Sequence, residues 1–308
     1  MDMDGDWLLP KPNTRFKTRR HKLAASLSPD KTRSVASTFS SLALPVVAEA
    51  ARKAEALSAA GDPEGFHQLR IAFRKLRALF WAYSPYLGEE ATAEATEEFK
   101  RLAAVAGCTR DWDIAGGLLD AALKSGMAIE PLVAAARERR ARAVEQSQAM
   151  IRSDAVEAFL NDVLLRAQAT LQTCCDDLPI RPFARKRLRR AKRTLRARSR
   201  RAAQSAIAHE GHEQALHDVR KAGKKLRYLL EFFQPVVKGR HARDIKALTS
   251  VQDKLGQFND IAASETLIRE TAFDDVPAAV VEESLRWLEQ QKRRRMRAAS
   301  RRVKSLAR

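Results

Sequence analysis

The line His67-Gln68-Leu69-Arg70-Ile71-Ala72-Phe73-Arg74-Lys75-Leu76-Arg77 returns later as His217-Asp218-Val219-Arg220-Lys221-Ala222-Gly223-Lys224-Lys225-Leu226-Arg227. The offset is constant, 217 − 67 = 150, and each copy reads H-x-x-R-x-x-x-[RK]-K-L-R. Two copies in a chain of 308 residues imply a duplicated unit, and a duplicated unit limits the folds open to the chain.

At 3.6 residues per turn the line divides into two faces. His67, Arg70, Arg74 and Arg77 follow one another at steps of 3, 4 and 3, while Leu69, Phe73, Leu76 and Phe80 step by 4, 3 and 4 on a different face. The second copy sets His217, Arg220, Lys224 and Arg227 against Val219, Leu226 and Leu230 in the same way. One side of each helix is therefore expected to be buried, with a file of cations on its flank. Like charges at this spacing repel by a few tenths of a kcal/mol per pair, so the file calls for an anionic partner.

Charge points the same way. The chain carries 57 Lys and Arg against 38 Asp and Glu, a net charge of +19, which implies a polyanion as partner: nucleic acid, an anionic membrane surface or polyphosphate. Apolar residues make up 45%, enough for a core, whereas aromatics are only 6%. With 23 Gly and Pro lying mostly between periodic segments, this is the composition of an all-helical protein of two domains or one two-lobed domain. Three cysteines, two of them adjacent at Cys174-Cys175, do not make a disulfide framework, so a reducing cytoplasm is expected. Trp7-Leu8-Leu9 is too short for a leader core, and no apolar run is long enough for a membrane span.

Residues 1–27 read as an N-terminal arm, acidic and then basic. Ser28-Pro29 reads as a helix start, with the helix running to about Ala60 and Pro45 as a candidate break. The first cationic helix is expected over about Pro63–Tyr83, ended by Ser84-Pro85-Tyr86, and an amphipathic helix over Ala91–Gly107 follows. That helix leads into Gly107-Cys108-Thr109-Arg110-Asp111, which has a counterpart in Gly256-Gln257-Phe258-Asn259-Asp260 at an offset of 149. One or two long helices over 131–172 complete a first half, 28–178, and Asp176-Asp177-Leu178-Pro179 marks the boundary with a second, 179–308. The second half opens on an arginine-rich helix without acidic residues over 181–201. The repeat helix ending near Phe233 follows, then a helix over 242–255, and a basic helix closes it over 280–308.

In its paired histidine-led helices, its G-x-x-[RN]-D segments and its duplication at about 150 residues, the sequence resembles the CHAD domain, the conserved histidine α-helical domain, over about residues 28–308. The resemblance implies an all-α fold of two pseudo-symmetric helical bundles with a basic groove or channel between them. It also implies binding of inorganic polyphosphate without catalysis. Carried onto this chain, the binding positions are His67, Arg70, Arg74, Arg77, His217, Arg220, Lys224 and Arg227, with Lys75, Lys221 and Lys225 as contributors. Arg189, Lys192 and Arg196 of the arginine-rich helix join this expected set. Two departures stand out. The first-half helix over 29–59 is poor in cations, which predicts a lopsided basic surface, and the acidic E-x-E-x-K strand of the catalytic domain often fused to this family is missing.

Polyphosphate has about one charge per phosphate and no bases. It needs spaced cations rather than aromatic platforms, which single-strand readers use, and Phe73 and Phe80 are assigned to the core face. The arginine fork can grip two phosphate oxygens at once, and lysine adds a mobile charge. The two histidines could act as donors or pH sensors. No cofactor, metal or catalytic group is expected, and the chain is expected in the cytoplasm at polyphosphate granules. Two alternatives remain: a nucleic-acid-binding protein, and a metal-dependent phosphohydrolase built on the histidines with Asp111, Asp113 and Asp260. These aspartates are expected instead to cap helices or pair with arginines. His209 and His212 read as a loop pair and Cys108 as a small buried residue.

Overall fold

The structure, a computed structural model, describes residues 33–307 apart from 60–62, 152, 209, 210 and 240. The N-terminal arm and the Ser28-Pro29 start lie outside these residues. Nine α-helices make up the described fold: α1 Val35–Ala59, α2 Pro63–Leu87, α3 Glu89–Lys124, α4 Glu130–Met150, α5 Ser153–Cys175, α6 Ile180–Ala208, α7 His212–Phe233, α8 His241–Glu270 and α9 Ala278–Ala307. Extended pairing among the described residues is limited to one isolated antiparallel bridge, Ser34 with Pro179. The protein is all-α, as the composition predicts.

Several helices run past the stops expected for them. α1 begins where Ser34 Oγ accepts the Ser37 N–H at 3.0 Å, and it passes unbroken through Pro45. α2 continues through Ser84-Pro85 to Leu87. A proline inside a helix leaves the carbonyl four residues back without its donor. Here that carbonyl belongs to Trp81, and it accepts instead from Ser84 Oγ at 3.1 Å and from Arg187 Nη2 of α6. The helix is stopped only at Gly88, whose φ of 84° is readily adopted by glycine. α3 does not end near Gly107, and the G-x-x-R-D segment is helical, in the middle of a 36-residue α3. α8 likewise runs on from Leu255 through Asn259-Asp260 to Glu270.

Burial follows the periodicity of the repeat. The burial of residues 64–80 recurs at 214–230 position for position, except that Ile71 is half-buried and Lys221 exposed. Leu69, Phe73, Leu76 and Phe80 are buried, as are Val219, Leu226 and Leu230. Both cores draw on helices from either side of residue 178. Tyr83 of α2 packs on Phe183 of α6 at 4.8 Å between ring centroids, and Phe183 on Phe233 of α7 at 6.2 Å. Such pairs contribute about 0.5–1.5 kcal/mol each beyond area burial. A second cluster joins Trp112, Leu119 and Leu132 of α3 and α4 to Ile261, Ile268 and Leu288 of α8 and α9. Between the two cores α3 and α8 carry their polar middle turns.

Candidate functional site

Where the polar turns of α3 and α8 meet the cationic files of α2 and α7, a cavity of about 120 Å³ opens. α2 contributes His67, Arg70 and Arg74; α3 contributes Arg110, Asp111 and Ile114; α7 contributes Arg220 and Lys224; α8 contributes Asn259, Asp260, Ala263 and Ser264. The convergence has a local cause. Facing α2, Gly107 has no side chain, and a Cβ there would stand 3.1 Å from Arg70 Nη1. The guanidinium thus lies against the α3 backbone and reaches Asp111 Oδ1 at 3.1 Å. The pair at the matching positions of the second sequence repeat, Arg220 Nη2 and Asp260 Oδ1, is looser at 3.9 Å, and a Cβ on Gly256 would meet nothing within 4 Å.

Five cationic side chains line the cavity, Arg70, Arg74, Arg110, Arg220 and Lys224, against two carboxylates, Asp111 and Asp260. The excess is felt by the buried members. Burial, then the charges of Arg70 and Arg220, lower Arg74 to about 10. Lys224 falls to about 6 through burial and the nearby Arg220 and Arg74. Burial lowers Arg220 too, and it raises Asp260 above the usual carboxylate range despite Arg220 and Lys224 beside it. His67 is lowered by burial and by Arg110, and His217 by burial, so neither ring favours a positive charge. His67 Nδ1, Arg220 Nε and Ser264 Oγ are buried without a hydrogen-bond partner. Donors left unpaired around a surplus of desolvated cations cost free energy, and an anion bearing several oxygens would satisfy both.

The structure divides the predicted residues. His67, Arg70, Arg74, Arg220 and Lys224 line the cavity. His217 is not among the lining residues, and its Nδ1 donates to Oδ1 of Asn259, which is, at 2.8 Å. Lys225 and Arg77 turn elsewhere: Lys225 Nζ sits 4.5 Å from the Trp81 ring centroid, with Arg77 acting on its charge. Arg227 approaches Glu231 at 3.7 Å, and Lys192 pairs with Asp244 at 2.8 Å. Lys75 is half-buried outside the lining, while Lys221, Arg189 and Arg196 are exposed. Arg110, Asn259 and Ser264 were not among the predicted binders, although the G-x-x-[RN]-D motif contains the first two. Asp113 pairs with Arg140 at 2.6 Å. Cys108 is exposed, contrary to expectation, because it lies on the outer face of α3 while its neighbours Gly107 and Thr109 take the buried positions. His212 is buried on Ser205 and Ser300 rather than placed in a loop, and His209 lies outside the described residues. Among the described residues no three His, Cys, Asp or Glu side chains gather as a metal site, and no helix is long and apolar enough to cross a membrane.

Known proteins resemble this chain. The CHAD domain model matches residues 43–269. The crystal structure of the CHAD domain from the plant Ricinus communis superposes with a TM-score of 0.72 over 89% of this chain and 93% of that one, at 21% identity, a likeness of fold. The uncharacterized proteins MT2285 and Rv2226 from two strains of Mycobacterium tuberculosis are each 29% identical over 175 residues, 54% of this chain. The match spans 33% of the length of each of those proteins. With the helices, the repeated histidine-led line and a family match over most of its length, the chain belongs to the CHAD domain family.

Proposed function

We propose that the chain binds inorganic polyphosphate in the cavity between α2, α3, α7 and α8, without cleaving it, and that this binding brings it to polyphosphate granules in the cytoplasm. The observation that carries the reading is the basic surplus of the lining: four arginines and a lysine from three helices, two carboxylates, and unpaired buried polar groups beside them. Arg74 and Lys224 are the groups most relieved by an incoming anion, since burial and arginine neighbours weigh on both. The family's association with polyphosphate agrees.

Nucleic acid is the second reading, and the lining argues against it. No Phe, Tyr or Trp ring is among the lining residues, so bases would find no stacking partner there. Competition tests the choice. Fluorescently labelled RNA bound to the protein should be displaced by unlabelled polyphosphate at matched charge. RNA that holds its place would overturn the polyphosphate reading. Incubation with polyphosphate and Mg²⁺ or Mn²⁺ should release no phosphate; release would make the chain a phosphohydrolase.

A further inference from the structure

Outside the cavity lining, a second group of cations gathers where α2, α6 and α7 meet, around Trp81. Arg187 Cζ lies 4.2 Å from the Trp81 ring centroid, Lys225 Nζ 4.5 Å and Arg190 Cζ 5.9 Å. Arg187 is anchored by the carbonyl that Pro85 leaves free, and it is only 3% exposed. Its Nε and the Nε of Arg77 are buried without a hydrogen-bond partner. Burial, then the charges of Arg198, Arg77, Arg187 and Arg190, bring Lys225 down to about 8.

Here the charge balance is more one-sided than in the cavity. Asp111 and Asp260 offset part of the cavity's charge, whereas α6, which supplies three of the arginines, contains no acidic residue. An indole face offsets a cation only weakly, and one ring cannot offset five. Half-exposed Trp81, Arg77, Arg198 and Lys225, together with exposed Arg190, leave the cluster open to solvent.

We propose that Trp81 marks a second phosphate subsite, in which Arg190 and Lys225, backed by the buried charge of Arg187 and flanked by Arg77 and Arg198, hold an oligophosphate segment independently of the cavity. The choice of ligand class rests on the polyphosphate reading; the existence of a separate anion site does not. Arg77 is one helical turn beyond Arg74, about 4.5 Å along α2, and Lys225 directly follows Lys224.

The test is calorimetric titration of the full chain with inorganic tripolyphosphate at low salt. Two tripolyphosphates per chain are expected. Arg190→Gln with Lys225→Gln should remove one or weaken it about tenfold, and Arg74→Gln with Lys224→Gln should do the same to the other. Binding should also change tryptophan emission, and the change should be lost in Trp81→Phe. Exposed Arg190→Gln alone, which leaves the core untouched, should still weaken the second event several-fold. A single tripolyphosphate per chain, or two events unaltered in both the Arg190 and the Arg190/Lys225 variants, overturns the proposal. If the Arg74/Lys224 pair changes nothing while the Arg190/Lys225 pair abolishes binding, the cavity reading fails and the Trp81 subsite stands.

Discussion

Arg70 Nη1 lies 3.1 Å from Asp111 Oδ1 across the gap between α2 and α3, and the carboxylate side chain is still 43% exposed. The pair holds the arginine at the cavity wall without closing the cavity. A carboxylate in that place has two opposed effects: it steadies the arginine in the free protein and repels an arriving phosphate.

Replacing the carboxylate should separate those effects. Asp111→Asn and Asp260→Asn are each expected to tighten polyphosphate binding about three- to tenfold, because one repelling charge is gone. Asp111→Asn should lower folding stability by about 0.5–1 kcal/mol, the scale of a partly exposed ion pair, whereas Asp260→Asn should leave it unchanged or raise it, because burial already disfavours the Asp260 charge. Anisotropy titration and urea unfolding measure the two. Weaker binding in both variants would mean the aspartates take part in recognition.

Lys224 predicts a pH dependence. Burial lowers it to about 6 in the folded chain, far below the ordinary lysine value of 10.5. Between those values the unfolded chain holds the proton and the folded chain does not, so this group makes stability rise with pH across that window and adds its full penalty below about 6. A bound polyanion favours the charged amine. Polyphosphate binding near pH 7 should therefore take up protons and weaken as pH rises. Calorimetry in buffers of different ionisation enthalpy reads the uptake directly, and Lys224→Met should abolish most of it.

The two motif glycines should behave differently. Gly107→Ala places a Cβ against Arg70, which has to move by a few tenths of an ångström, so polyphosphate affinity should fall about threefold. At Gly256 a Cβ meets nothing within 4 Å. Gly256→Ala should leave binding unchanged and raise stability by about 0.5–1 kcal/mol through helix propensity. Thermal unfolding with matched binding curves checks both.

Salt should act steeply. If the five cavity cations each neutralise one phosphate, the logarithm of the binding constant should fall against the logarithm of salt concentration with a slope of about −3 to −4. Arg74→Gln should make the slope shallower by about one unit, whereas Arg301→Gln on the exposed face of α9 should leave it nearly unchanged. Equal changes in both variants would show that bulk charge, rather than a site, governs binding.

The sequence by itself determined the all-α class, the buried face of α2 and α7, and the file of cations beside it. These depend on local periodicity, and a step of 3 or 4 along a helix is the same wherever the helix lies. Tertiary structure decided which cations converge. Lys224 and Lys225 are neighbours in the chain, yet about 100° of helical rotation sends one into the cavity and the other to Trp81. Arg110 reaches the site because α3 does not stop at Gly107, and α2 passes Pro85 while Arg187, 106 residues away, takes the orphaned Trp81 carbonyl. Helix ends and cation clusters of this kind depend on partners distant in the chain, and only the packing of the helices brings those partners together.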